Sequence, residues 1–273
     1  MLKTRIITAL ILAAGFIPAL FKLPNFYWAI CMLLVTLLSL REWASMVGFN
    51  KTQIYGYLAI SVLLGLFVLA RLLHNNSHHF FFQSLLIFSA AMFFWTLIVP
   101  IWLAKQFRLN NSIAKALLGW LLMLPLWLAL ICAKIVDPML VLVLLATIWI
   151  ADSAAYFAGK NFGKHKLAPT ISPGKTWEGV AGALIAVTLF GLILRFGFDV
   201  NNAAIFPALW ITTGLGVIGD LFESMMKRQA NIKDSGDLLP GHGGILDRID
   251  GIIPSLPIAI LMIYAYNYFV AAT

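Results

Sequence analysis

Ser224-Met-Met-Lys-Arg-Gln-Ala-Asn-Ile-Lys-Asp-Ser-Gly-Asp-Leu-Leu-Pro-Gly-His-Gly-Gly-Ile-Leu-Asp-Arg-Ile-Asp250 is a polar island between two apolar runs, residues 203–226 and 251–271. It holds four acids (Asp234, Asp237, Asp247, Asp250), four bases (Lys227, Arg228, Lys233, Arg248), His242 and four glycines, in a chain that is 62% hydrophobic and only 11% charged. Runs of roughly 20 residues with so few charges match the thickness of a bilayer's hydrocarbon core. The island therefore reads as a water-facing loop between two membrane crossings, and the fold as an all-α polytopic integral membrane protein. Carboxylates mixed with Lys and Arg at a membrane surface suit a divalent cation and a phosphorylated substrate, because the cation bridges the two negative partners.

Working outward, nine apolar segments emerge: residues 6–21, 26–47, 54–73, 80–104, 114–133, 138–158, 177–198, 203–226 and 251–271. A mean hydropathy of +0.93 fits that count. The first segment follows Lys3 and Arg5, as the apolar part of a signal peptide would. Pro18, Phe21 and Lys22 stand where a small-x-small cleavage site belongs, so a retained span is expected. With nine spans and a cytoplasmic N-terminus, 15 of the 19 basic residues fall in cytoplasmic segments, and only Lys22, Arg71, Lys134 and Arg195 lie opposite. That asymmetry is the positive-inside pattern of a cytoplasmic (inner) membrane protein. The net charge of +8 then suits anionic lipid headgroups, and nucleic acid is not an expected partner. Cys31 and Cys132, inside apolar segments, read as buried small hydrophobes. The loop expected at 71–80 carries His74, His78 and His79 beside Asn75 and Asn76, without an acid or Cys, and reads as solvated.

Acid content divides the chain. Residues 1–150 contain two acids, Glu42 and Asp137, and residues 151–273 contain nine. Residues 1–135 read as a transmembrane scaffold, and residues 136–273 as the catalytic region with two cytoplasmic loops, 159–176 and 227–250. In the first loop Ser172 and Pro173 form a good helix start, a capping side chain followed by proline at the first helical position. Such an N-terminus offers N–H groups and a positive dipole end to a phosphate, and Lys175 and Thr176 add a charge and a hydroxyl. Gly174-Lys175-Thr176 is not a P-loop, since position 169 is Pro and no strand is expected before it.

Asp152 and Asp220 lie inside the sixth and eighth segments. Charges in spans are costly and normally face a polar cavity or a partner. Each sits about seven residues before its span's cytoplasmic end, roughly 10 Å of helix, so the two share a depth. Glu223, Ser224 and Lys227 follow Asp220 at i+3, i+4 and i+7, along one helical face. Asp247 and Asp250, spaced i, i+3 at the entrance of the last span, add two more carboxylates. With Asp220 they make a candidate cation site, the alternative being a structural ion pair of Asp220 with Lys227 or Arg228. The glycines around His242 permit a tight turn or close approach of a substrate.

At these residues the sequence resembles the phosphatidate cytidylyltransferase (CDP-diglyceride synthetase) family. The family's C-terminal signature is matched by Ser224, Lys227, Arg228, Lys233, Asp234, Pro240, His242, Gly243, Gly244, Asp247, Arg248 and Asp250. A second family stretch, Ser-Pro-x-Lys-Thr-x-Glu-Gly, is matched by Ser172 through Gly179, with Gly174 in its variable position. The resemblance implies transfer of a cytidylyl group from CTP to phosphatidic acid, giving CDP-diacylglycerol and pyrophosphate. It implies Mg²⁺, a second cation such as K⁺, and a homodimer. Carried over by position, Asp220, Asp247 and Asp250 look like metal ligands. Asp220, Lys227, Arg228, Asp247 and Arg248 look catalytic, and Ser172, Lys175, Thr176, Glu178, His242 and Gly243 look nucleotide-binding. Two other readings compete. A CTP-dependent polyprenol or phytol kinase would use a similar site but move the γ-phosphoryl group. A cation-coupled transporter would suit Asp152 and Asp220 alone, but no inverted repeat accompanies them.

Overall fold

The computed structural model describes residues 2–74, 77–198 and 203–272. Helices α1 (Leu2–Lys22), α2 (Asn25–Met46) and α3 (Lys51–His74) come first. Next is α4 (Ser77–Phe93), which passes through a π-helical turn, Phe94–Ile98, into α5 (Val99–Lys105). After α6 (Ser112–Val136) and α7 (Pro138–Phe162) come two short antiparallel strands, β1 (Lys166–Ala168) and β2 (Ser172–Thr176). Then follow α8 (Trp177–Gly197), α9 (Ile205–Gln229), the single turn α10 (Leu246–Ile249) and α11 (Ile252–Ala272). All nine apolar segments read from the sequence are helical. Among the described residues, seven helices are long and apolar enough to cross a membrane by length and composition: α2, α3, the α4–α5 rod and α6 to α9. The apolar stretches of α1 and α11 are shorter, Ile7–Lys22 and Ile252–Tyr268.

Two expectations are corrected. Of the loop expected at 71–80, residues 71–74 continue α3 and residues 77–80 already belong to α4. Asn75 and Asn76 lie outside the described residues, as do the side chains of His78 and His79. The helix expected to start at Ser172–Pro173 starts instead at Trp177. Residues 172–176 pair with 166–168 as a hairpin, Lys166 opposite Thr176 and Ala168 opposite Ser172. Thr176, in extended conformation, is the true cap, its Oγ1 accepting a hydrogen bond from Gly179 N at 3.1 Å.

Elsewhere the helix starts follow the residues that favour them. Asn111 caps α6, its Oδ1 accepting from Ile113 N and Ala114 N at 2.8 and 3.1 Å. Asp137 caps α7 by accepting from Met139 N at 2.8 Å, with Pro138 at the first helical position.

Buried tryptophans weld α2 to α6. Trp127 donates to Ala29 O at 2.9 Å, Trp28 to Leu130 O at 3.2 Å, and Trp43 to Lys115 O at 2.9 Å. A buried indole needs such a partner for its N–H. Cys132 is buried there and Cys31 half-buried, both as free thiols. On the other side, α7 and α8 approach through small residues, so that a Cβ added at Gly182 would overlap that of Ala158. Small residues let helix backbones come close where lipid offers no hydrophobic drive to associate.

Between these layers stands α9. Its Phe222 is buried in a cage of aromatic rings, with centroids 5.5 Å from Trp95, 5.5 Å from Trp102 and 6.0 Å from Phe94. The π-helical turn supplies two of those rings. Against α11, α9 packs so closely that a Cβ at Gly219 would overlap the ring of Pro254 and, just before the helix, Asp250 O. Ser255 Oγ of α11 lies 2.9 Å from Thr212 O and 2.7 Å from Gly251 O. The register of α9 is thereby fixed from both sides, and with it the position of Asp220 and Glu223.

Candidate active site

Along the cytoplasm-expected end of α9, the i, i+3, i+4, i+7 face carries Asp220, Glu223, Ser224 and Lys227 as expected. Asp220 receives Ser224 Oγ on Oδ1 at 3.2 Å and Lys175 Nζ at 2.5 Å from Oδ2. Lys175 reaches it from β2, so the hairpin and α9 meet at one ion pair. Asp152 of α7 lies within electrostatic reach of both members. Neither Lys227 nor Arg228 pairs with Asp220. Lys227 Nζ bridges Glu223 Oε2 at 3.0 Å and Asp247 Oδ1 at 2.6 Å, and Arg228 is exposed.

The polar island folds back over this face. Asp247, on α10, accepts Ser235 N and Gly244 N on Oδ2, both at 2.9 Å. Burial opposes its ionisation, but the Lys227 ammonium and the two backbone N–H groups outweigh that and hold its carboxyl below the usual range. Asp250, at the exit of the same turn, is driven the other way. Burial first, then the carboxylates of Asp220 and Glu223, push it well above the usual range. Glu223 Oε1 is buried beside Asp250 without a hydrogen-bond donor. A cavity of about 10 Å³, roughly the size of one water, is lined in part by Glu223, Asp250 and Gly219.

The glycine turn is closed by Leu239 N to Gly243 O at 2.9 Å and His242 N to Leu239 O at 2.8 Å. Gly241 and Gly243 have φ of 76° and 83°, which only glycine adopts readily. Arg248 donates Nε and Nη2 to His242 O at 2.9 and 2.6 Å, bracing the turn, while His242 Nδ1 is buried with no partner. Two residues expected at the nucleotide are occupied with holding the hairpin. Thr176 is buried as the cap of α8. Glu178 accepts His165 N at 3.2 Å and lies 2.6 Å from His165 Nδ1. Ser172 is half-buried on β2.

The expected trio of Asp220, Asp247 and Asp250 is divided. Asp220 and Asp250 are neighbours, whereas Asp247 stands across the Lys227–Glu223 pair. No group of three His, Cys, Asp or Glu side chains with metal-site geometry occurs among the described residues. The donor chemistry nonetheless fits a hard cation. Asp220 and Asp247 each already face an ammonium, while Glu223 and Asp250 set two further carboxyl groups side by side. The surplus of oxygen charge is what such an ion needs.

One site residue escaped the sequence reading. Glu42, assigned to the scaffold, reaches into the loop from α2 and accepts from Ile245 N at 3.0 Å, Leu246 N at 2.9 Å and Ser235 Oγ at 3.2 Å. Its one sequence signal is being the sole acid in the first 136 residues, at the end of a span.

Comparison with known proteins places the chain in a family. The sequence profile of the cytidylyltransferase family matches residues 3–266. The phosphatidate cytidylyltransferase of Haemophilus influenzae is 33% identical over 292 residues, covering 98% of this chain and 99% of that one. That of Pseudomonas aeruginosa is 35% identical over 284 residues, with the same coverage. That of Bacillus subtilis is 43% identical over 124 residues, 44% of this chain and 45% of the relative. A match spanning nearly the whole chain, onto a fold whose acids and lysines converge at one membrane face, leaves one conclusion: the chain belongs to the cytidylyltransferase family.

Proposed function

We propose that the protein transfers the cytidylyl group of CTP to phosphatidic acid, releasing pyrophosphate and leaving CDP-diacylglycerol in the membrane. The observation that carries this reading is the meeting of Lys175 with Asp220, which joins the two long polar segments at one end of the helices. An oxygen of the lipid phosphate attacks the α-phosphorus, and the bond to the departing pyrophosphate breaks. The nucleophile is already anionic near neutral pH, so no general base is required. The work left to the protein is positioning and offsetting charge. Lys175 and Ser172 on the hairpin receive the nucleotide phosphates, with Thr176 and Glu178 holding that hairpin against α8. Arg228, exposed at the end of α9, offers a further cation, and Lys227 fixes Asp247. Arg248 keeps His242 and Gly243 in the turn that approaches the substrate. Asp220 and Asp250 and, from across the Lys227–Glu223 pair, Asp247 are the carboxylates that would hold Mg²⁺ and a second cation such as K⁺. Bound there, Mg²⁺ would supply Lewis-acid polarisation of phosphoryl oxygens and would offset charge on pyrophosphate.

The wider setting is part of the proposal. Nine spans with a cytoplasmic N-terminus put the site on the cytoplasmic side of the inner membrane, where a water-soluble nucleotide meets a lipid headgroup. The homodimer comes from the family resemblance. Purified protein with CTP, phosphatidic acid and Mg²⁺ should form CDP-diacylglycerol and pyrophosphate in equal amounts. Release of CDP would make the protein a CTP-dependent lipid kinase instead, and no nucleotide-dependent lipid product would overturn both.

A further inference from the structure

We propose that Glu42 is a positioning residue, a carboxylate in the membrane scaffold that fixes the geometry of the catalytic loop. The inference rests on the reading above only for its activity readout.

Glu42 and Asp247 grip the same two pieces of chain. Ser235 gives its N–H to Asp247 Oδ2 and its hydroxyl to Glu42 Oε2. Three successive N–H groups, of Gly244, Ile245 and Leu246, go to Asp247 Oδ2, Glu42 Oε1 and Glu42 Oε2. Each carboxylate therefore completes what the other leaves unpaired. Asp247 in turn holds Lys227, whose ammonium also reaches Glu223. A shift of α10 would propagate through this chain to the acids of α9.

The fit around Glu42 is built from both directions. Its side chain is buried, 5% exposed, and a Cβ at Gly236 would stand 2.7 Å from its Oε1. A Cβ at Gly244 would stand 2.5 Å from its Oε2. The loop glycines are thus the space into which the carboxylate fits. On its own helix, the neighbouring Trp43 is fully buried and bonded to α6, so the latch is anchored in the packed α2–α6 layer. Its partners lie 193 to 204 residues away in sequence, which makes it a tie between the two halves of the chain.

Glu42→Gln keeps the volume but turns one acceptor into a donor facing a donor. Ser235→Ala removes only the hydroxyl and leaves the N–H on Asp247. Both variants are purified in detergent and compared with the wild type for CDP-diacylglycerol formation and for hydrogen exchange of residues 233–248. The expected result for Glu42→Gln is a kcat lower by on the order of 100-fold, with the KM for CTP changed far less, because misplacement acts on reacting geometry. Ser235→Ala should lose about 3- to 10-fold, the worth of one hydrogen bond. The double variant should fall short of the product of the two losses, since they share one contact. Exchange at Ile245 and Leu246 should quicken in Glu42→Gln while α6 stays protected. Unchanged exchange in the loop, or a kcat that is normal per folded molecule, overturns the proposal. If the wild type forms no CDP-diacylglycerol, the functional reading has failed, and exchange in the loop still decides the latch by itself.

Discussion

Asp220 and Asp247 are the residues on which the proposed chemistry turns, and each is held in this structure by a lysine from elsewhere in the chain. Asp220→Asn keeps the shape but gives up the charge that faces Lys175. Asp247→Asn does the same toward Lys227. Each should lower kcat by roughly 100- to 1,000-fold, the range for removing one group that stabilises developing charge. If the two serve one ion, the double variant should be little worse than either single one. Steady-state assays across a Mg²⁺ titration would check both points, and losses that multiply would separate the two acids into independent roles. Lys175→Met belongs to the same argument. It should raise the KM for CTP several-fold with kcat nearly kept if its contact with phosphate is equally strong throughout the reaction. A fall in kcat with KM unchanged would put Lys175 on the pyrophosphate charge.

Elements matter because they hold those side chains at a fixed depth. Phe222 sits between Asp220 and Glu223 in sequence but points into the cage of Phe94, Trp95 and Trp102. Phe222→Ala should destabilise the protein by about 3–5 kcal/mol, as loss of a buried aromatic does. It should also lower activity more than the folded fraction explains, since α9 loses its register. Thermal melting in detergent alongside specific activity would show both. The element scale is also where sequence reading was uneven. Long apolar runs announce membrane helices without any knowledge of their neighbours, so all nine segments were legible. The hairpin was not. Ser172–Pro173 satisfies every local rule for a helix start, but pairing with residues 166–168 wins, and Thr176 serves as an equally good cap four residues later. The concentration of polar groups over residues 220–250 was legible through charge density in an apolar chain, but its division, Asp220 and Asp250 on one side of the Lys227–Glu223 pair and Asp247 on the other, was not. Glu42 was not, because its partners depend on how α2 lies against the loop, and no local pattern encodes that.

For the whole molecule, the chain's ends are set by where the polar island sits. Thr8 Oγ1 of α1 lies 3.2 Å from Pro240 O, so the beginning of α1 stands beside the loop. At the other end, on the proposed nine-span topology, the 21 residues of α11, roughly 30 Å of helix, would cross the hydrocarbon core from Ile252 onward. The two ends should therefore emerge on opposite sides. Which side is which follows from charge and from substrate. On the proposed nine-span topology the loop face would carry 15 of the 19 basic residues, as cytoplasmic segments do. A nucleotide triphosphate also cannot reach an active site across the bilayer from the side where it is made. A reporter that is active only outside the cytoplasm, fused after residue 273, should thus be active, and one fused before residue 1 silent. A silent C-terminal fusion would remove one span from the count. It would leave α11 re-entering its own face, with the carboxylates of α10 still beside Asp220 and Lys175 at the end of α9.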